Sequence, residues 1–189
     1  MHKTRYVVDG CKLYIPTESV YLRMVTLRGL RTVVFVSELN GLEICATDTE
    51  TFVPGGNDQV TGIHYCRNIF GDQEDHTMIT HKELYGIRSS RLVWHKRLAD
   101  YLEDMGVFLC KVKHDIWMRG RNSLYEYITV YVDDLVISAR NPHVATDILM
   151  KKHYFKLKGT GPIKHHLGYD FFRDKNGVLC FLQGNILTR

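Results

Sequence analysis

Tyr125-Glu126-Tyr127-Ile128-Thr129-Val130-Tyr131-Val132-Asp133-Asp134-Leu135-Val136-Ile137-Ser138 is the stretch on which the reading of this chain turns. Tyr125 to Val132 is rich in β-branched and aromatic residues, as strands are, and Leu135 to Ser138 is a second apolar run. Asp133-Asp134 lies between them, which predicts a hairpin with two carboxylates at its tip. Adjacent acids between apolar strands are unfavourable unless solvated or neutralised by a cation, because they repel each other and burial disfavours their charge. On a regular strand the two would point to opposite faces, whereas a tight turn can aim both to one side. Taken alone, the pair also fits an exposed Asp-rich turn.

A second carboxylate of the same kind lies upstream. After Asn40-Gly41, Leu42-Glu43-Ile44-Cys45-Ala46-Thr47-Asp48 alternates apolar with polar or small residues, predicting a strand with Asp48 at its end. Three carboxylates at strand ends are a donor set for Mg²⁺, a hard cation that takes carboxylates together with substrate phosphates.

Around these strands the pattern is mixed. Arg5 to Val8 reads as a short strand closed by Asp9-Gly10. Leu27 to Leu39 fits a helix by its apolar spacing and a strand by Val33-Val34-Phe35-Val36, so periodicity leaves both open. Thr49 to Asp75 is polar and Gly-rich, implying a long loop or a β-excursion. Ser89 or Ser90 is expected to cap a helix with apolar positions Trp94, Leu98, Leu102 and Met105, stopped by Gly106; Trp94 and Met105 read as core. Ile116 to Met118 reads as a strand, separated from the next by Gly120-Arg121-Asn122. Asn141-Pro142 opens another helix, with Val144, Ile148 and Leu149 on one face. A last hairpin, Leu167 to Phe172 and Val178 to Leu182, turns on Asp174-Lys175-Asn176-Gly177, where Asn-Gly supplies positive φ.

Composition bounds the class. With 189 residues, 44% hydrophobic, 24% charged and only 4 Pro, the chain is globular, which excludes disorder, collagen-like repeats and a disulfide scaffold. No apolar run approaches the ~20 residues of a membrane helix. A soluble, intracellular chain, cytoplasmic or nuclear and without membrane partners, is expected. The 5 cysteines are scattered without a C-x-x-C pair, as reduced thiols are. His165-His166 lacks a companion at zinc-site spacing. The net charge of +4 is unevenly spread: residues 1–135 hold 16 basic and 18 acidic side chains, while 136–189 hold 9 and 3. Such a basic tail suits a phosphate backbone, or simply a solvated face.

The blocks in their order resemble the reverse transcriptases of copia-type LTR retrotransposons. Tyr131-Val132-Asp133-Asp134-Leu135 resembles their signature, and Lys3-Thr4-Arg5-Tyr6-Val7-Val8 their fingers segment. Glu38 to Glu43 leading to Ala46-Thr47-Asp48 is similar to the first catalytic strand. Leu84-Tyr85-Gly86-Ile87-Arg88 with Trp94 downstream, Phe155-Lys156-Leu157-Lys158, and His166-Leu167-Gly168 resemble further blocks, so the likeness spans nearly the whole chain.

The resemblance implies an α/β (α+β) palm with partial fingers, its small antiparallel sheet backed by helices near 90–105 and 142–153. It implies fingers over 1–41, palm over 42–158, and a primer-grip-like hairpin with the start of a thumb over 159–189, truncated at both ends relative to the family. Asp48, Asp133 and Asp134 become ligands of two Mg²⁺ (or Mn²⁺) ions. Lys3, Arg5, Tyr85, Gly86 and Arg88 become the nucleotide-binding set. Val53 falls, aligned without gaps, where the family carries an aromatic that blocks a ribose 2′-hydroxyl, implying weaker discrimination against ribonucleotides. Lys151, Lys152, Lys156, Lys158 and Lys164 are candidates for primer-template phosphates, with Leu167 and Gly168 in the primer-gripping hairpin. The implied partners are a primed RNA or DNA template, dNTPs, and the integrase and RNase H of a retrotransposon polyprotein. A catalytically inactive remnant that only binds nucleic acid, and a metal-dependent nuclease using the same acids, are the alternatives at this level.

Overall fold

The computed structural model describes residues 24–49, 62–65, 77–80, 88–113 and 115–184. The chain divides into two compact units, Met1–Leu22 with Phe52–Arg97, and Arg23–Thr51 with Leu98–Arg189. In the first, β2 (Gly62–Tyr65) and β3 (Thr77–Thr80) pair antiparallel with Ile63 opposite Ile79, so residues 49–75 do contain a β-excursion. Helix α2 (Arg88–Asp104) begins in this unit and ends in the other. It starts before Ser89 and Ser90, which lie inside its first turn and do not cap it from outside.

The second unit holds helix α1 (Leu27–Leu39) and strand β1 (Glu43–Thr49), then, after α2, β4 (Phe108–Leu109), β5 (Ile116–Arg121), β6 (Leu124–Tyr131), β7 (Asp134–Ala139), helix α3 (Pro142–Lys151), β8 (Leu157–Pro162), β9 (His165–His166), β10 (Tyr169–Arg173) and β11 (Leu179–Gln183). Six strands form an antiparallel sheet in the order β4-β5-β6-β7-β1-β8, and β11-β10-β9 form a separate three-stranded sheet. This mixed, mostly antiparallel architecture is the one expected. Helix α1 belongs to the same compact unit as β1, and β8 runs across position 158.

The segment that periodicity left open is a helix. The Thr26 hydroxyl oxygen accepts from the Gly29 N–H at 3.1 Å, an N-cap that Asp115 holds by accepting from the Thr26 N–H and hydroxyl, each at 3.1 Å. Leu30, Val33 and Val34 are buried, and Ser37 hydrogen-bonds to Ser138 in the interior. Burying that stripe outweighs the strand preference of the β-branched run and leaves Phe35 64% exposed.

Alternation sorts the sheet's faces. Ile44 and Val136 look towards α1 and the β9–β11 hairpin, in one cluster with Val25, Leu30, Val34, Ile163 and Phe171. On the other face Ile137 and Ala139 lie with Ala145 of α3. Leu98 and Leu102 of α2 are fully buried, and Tyr101 stacks on His153 just after α3. Trp94 and Met105 are half-buried rather than core.

Three local expectations change. Helix α3, N-capped by Asn141, buries Pro142, Ala145, Thr146 and Leu149, while Val144 faces solvent, because small residues let the helix approach the sheet closely. Strand β5 continues through Gly120 and Arg121, and the turn falls at Asn122-Ser123, both at positive φ (50° and 65°). In the last hairpin Gly177, at φ 79°, supplies the positive angle, and Asn176 does not.

Candidate active site

The site is built on the turn between β6 and β7. Tyr131 pairs with Asp134, leaving Val132-Asp133 as a two-residue loop. Val132 sits at φ 54°, a left-handed conformation that costs a β-branched residue about 1–3 kcal/mol. Strand β1 holds the loop in place: the Thr49 N–H and hydroxyl both donate to the Asp133 carbonyl at 2.8 Å. The end of the strand carrying Asp48 is thereby tied to the residue before Asp134.

The sheet register does the rest. Asp134 lies directly opposite Asp48 on β1, and Asp48 directly opposite Lys158 on β8. Directly opposed residues project from the same face, so Tyr131, Asp134, Asp48 and Lys158 form one row across four neighbouring strands. Burial pushes the Asp134 carboxyl pKa up, and the negative charges of Asp48 and Asp133 push it further, while His165 pulls it back. Repulsion of this kind is what a bound cation relieves. Among the described residues no three His, Cys or carboxylate side chains converge into a ready-made metal cage. The row offers carboxylate oxygens, the donor type that Mg²⁺ takes together with phosphate oxygens and water.

The hairpin β9–β10 stands beside the row. Leu167 and Gly168 form its two-residue turn at φ 51° and 78°, the geometry of a tight hairpin. The His166 ring meets the Tyr131 ring edge-on at 6.4 Å between centroids. His166 is buried, its Nε2 has no hydrogen-bond partner, and its pKa is lowered to about 4, chiefly by burial and secondarily by neighbouring His165. His165 in turn hydrogen-bonds through Nδ1 to Asp170 at 2.7 Å.

Asp48, Asp133, Asp134, Lys158, Leu167 and Gly168 thus come from four separate parts of the chain into one compact unit. Lys3, Arg5, Val53, Tyr85 and Gly86 lie outside the described residues, and Arg88 is the first residue of α2. Lys151 is paired with Asp147 at 2.9 Å and Lys152 with Asp104, so acidic neighbours offset both charges, while Lys156 and Lys164 are exposed. Sequence reasoning gave no role of their own to Thr49, Val132 or His166. Their roles depend on a carbonyl contact, a backbone angle and a ring packing that a single sequence does not display.

A family model described as reverse transcriptase (RNA-dependent DNA polymerase) matches residues 2–188. The chain belongs to that family. This reverse transcriptase domain is 25% identical over 95 residues to a Saccharomyces cerevisiae protein named for transposon Ty5-1, covering 50% of this chain and 31% of that protein. It is 26% identical over 110 residues to the retrovirus-related Pol polyprotein from transposon RE1 of Arabidopsis thaliana, covering 57% of this chain and 7% of the polyprotein. The reverse transcriptase domain therefore spans less than a third of either relative, and the copia-type resemblance is borne out. No solved structure matches.

Proposed function

We propose that this domain extends a primer on an RNA or DNA template by two-metal nucleotidyl transfer, with Asp48, Asp133 and Asp134 as the metal ligands. The observation that carries the reading is the pairing of Asp48 with Asp134 at the end of adjacent strands, with Asp133 tied to Thr49 alongside. When bound, two Mg²⁺ or Mn²⁺ ions polarise the primer 3′-hydroxyl and neutralise charge on the departing pyrophosphate.

The protein's part is placement. Asp48 and Asp134 present carboxylate oxygens from one sheet face, and the Thr49 bonds keep Asp133 from swinging away with its loop. Lys158 at the end of the row offers a cation, and a candidate proton donor, to the leaving phosphates. The Leu167–Gly168 turn offers backbone to the primer strand, and exposed Lys156 and Lys164 offer charge to its phosphates, an interaction that weakens as salt rises. The incoming dNTP would meet Lys3, Arg5, Val53, Tyr85, Gly86 and Arg88. Within a retrotransposon polyprotein the domain would work beside integrase and RNase H.

Primer extension on an RNA template with dNTPs and Mg²⁺ or Mn²⁺ tests the assignment. Extension is expected from the wild-type chain and is expected to vanish in Asp133→Asn. Extension that survives this change refutes the ligand set. Salt-sensitive binding without extension would leave a nucleic-acid-binding remnant, and release of mononucleotides without growth would indicate a nuclease.

A further inference from the structure

The sheet β11-β10-β9 makes no strand pairing with the six-stranded sheet. Its backbone tie is the two-residue link from β8, where the Ile163 N–H donates to the Ile44 carbonyl at 3.1 Å, and side chains supply the other supports. An apolar cluster supports it from beneath, where Phe171 is buried with Ile44, Val136 and Leu30, and Tyr169, Leu179 and Phe181 pack around them. Apolar contact alone is non-directional and tolerates sliding. Away from that link, directional side-chain contacts come from α1. The Arg31 guanidinium lies 5.8 Å from the Tyr169 ring centroid and 5.5 Å from that of Phe181. The Arg173 guanidinium grips Glu38 with two parallel bonds, Nη1 to Oε2 at 2.9 Å and Nη2 to Oε1 at 2.8 Å, and Nη1 also donates to the Gly177 carbonyl at 2.6 Å. A two-bond fork of this kind fixes orientation as well as distance.

We infer that α1 is the mount of this hairpin, with Glu38, Arg173 and Arg31 acting as positioning residues that set the Leu167–Gly168 turn beside the carboxylate row for a primer terminus. The inference rests on the polymerase reading for its ligand, but its mechanics stand on contacts within the unit. Glu38 and Asn40 end α1, and β1 follows at once, so the element that grips the hairpin is continuous with the strand that carries Asp48. Arg173 closes β10 about 13 Å of strand away from the turn at 167–168. The hairpin is thus held at its far end by Glu38 and at its near end by the packing of His166 on Tyr131. Two separated supports define the angle of a lever, which one support does not.

The test compares the full chain with Arg173→Glu, Glu38→Arg and the double swap Arg173→Glu/Glu38→Arg. Amide hydrogen exchange at Leu167 to Tyr169 reads the turn directly, and fluorescence anisotropy compares a recessed-end DNA primer on RNA template with a blunt duplex of the same sequence. Each single change is expected to speed exchange at the turn and to weaken recessed-end binding about fivefold relative to the blunt duplex, the scale of a partly exposed charge pair. The double swap is expected to restore both. Unchanged exchange in the single variants, failure of the swap to restore protection, or equal losses on recessed and blunt duplexes overturns the inference. Loss of the polymerase reading is seen separately, in extension that ignores Asp133→Asn, and the exchange comparison reads the mount whether or not extension occurs.

Discussion

His166 is buried to 3% exposure with no partner for Nε2, and its pKa falls from the ordinary 6.5 to about 4. Between those values the unfolded chain binds a proton that the folded chain refuses, so stability falls as pH drops from 6.5 towards 4. The difference is about 2.5 pH units, which corresponds to about 3 kcal/mol lost once the pH lies below both values, of which about 2 kcal/mol is already gone at pH 5. His153 has the same sign, since burial lowers its pKa too, and Asp134 has the opposite sign. A variant comparison removes these shared contributions. His166→Phe keeps a ring against Tyr131 and does not titrate. Removing an unpartnered buried nitrogen should also make it about 1–2 kcal/mol more stable than wild type at pH 7. The assay is urea unfolding at pH 7, 6, 5 and 4, followed by the fluorescence of buried Trp117 in a Trp94→Phe background. The advantage of His166→Phe over wild type should widen by about 2 kcal/mol from pH 7 to pH 5. Parallel stability curves for the two proteins would refute the buried, neutral imidazole, and with it the close seating of the hairpin on Tyr131.

Three further outcomes are expected. Val132→Gly should leave stability unchanged or raise it by up to about 1 kcal/mol, because glycine takes the left-handed angle without strain; a loss of about 2 kcal/mol or more in chemical denaturation would show that the turn is not strained. Leu135→Ala, at a fully buried position of β7, should lose about 3 kcal/mol in the same assay, and a loss under about 1 kcal/mol would contradict its packing. Asp134→Asn should raise the melting temperature at pH 7. The folded Asp134 carboxyl is harder to ionise than the unfolded one, so wild-type stability declines as pH rises through that carboxyl's raised range, and the amide removes the decline. A lower melting temperature for Asp134→Asn would refute the burial of this carboxyl and its repulsion by Asp48 and Asp133.

Much of the carboxylate hairpin was legible because its signals are local. Two apolar runs bracketing Asp133-Asp134 admit few structures other than a hairpin, and the alternation from Leu42 to Asp48 predicts a strand ending on its acid. The blocks around them carried the family resemblance. Leu27 to Leu39 was not legible in the same way, since its β-branched run and its apolar spacing argue for different elements. The contacts that decided it, Thr26 with Asp115 and Ser37 with Ser138, join residues 89 and 101 positions apart. On α3 Leu149 is buried as expected, but Val144 departs for a related reason. Local spacing favoured a stripe through Val144, but the sheet selects the face that lets the helix come closest, which is the small one at Ala145 and Thr146.

The sequence by itself determined the parts: strands ending in acids, a basic tail third, the order of blocks that marks a reverse transcriptase, and a last hairpin turning on Asp174 to Gly177, whereas the turn at Leu167-Gly168, read as the start of a strand, emerged only in the fold. The tertiary structure decided how they meet. Asp134 faces Asp48, and Asp48 faces Lys158, only because β7 and β8 flank β1 in a particular register, and a one-residue slip would turn each side chain to the other face. The tie of Thr49 to Asp133, the orphaned nitrogen of His166 and the grip of Arg173 on Glu38 arise between segments far apart in the chain. Their energies come from burial and approach distance, which exist only once the chain has folded.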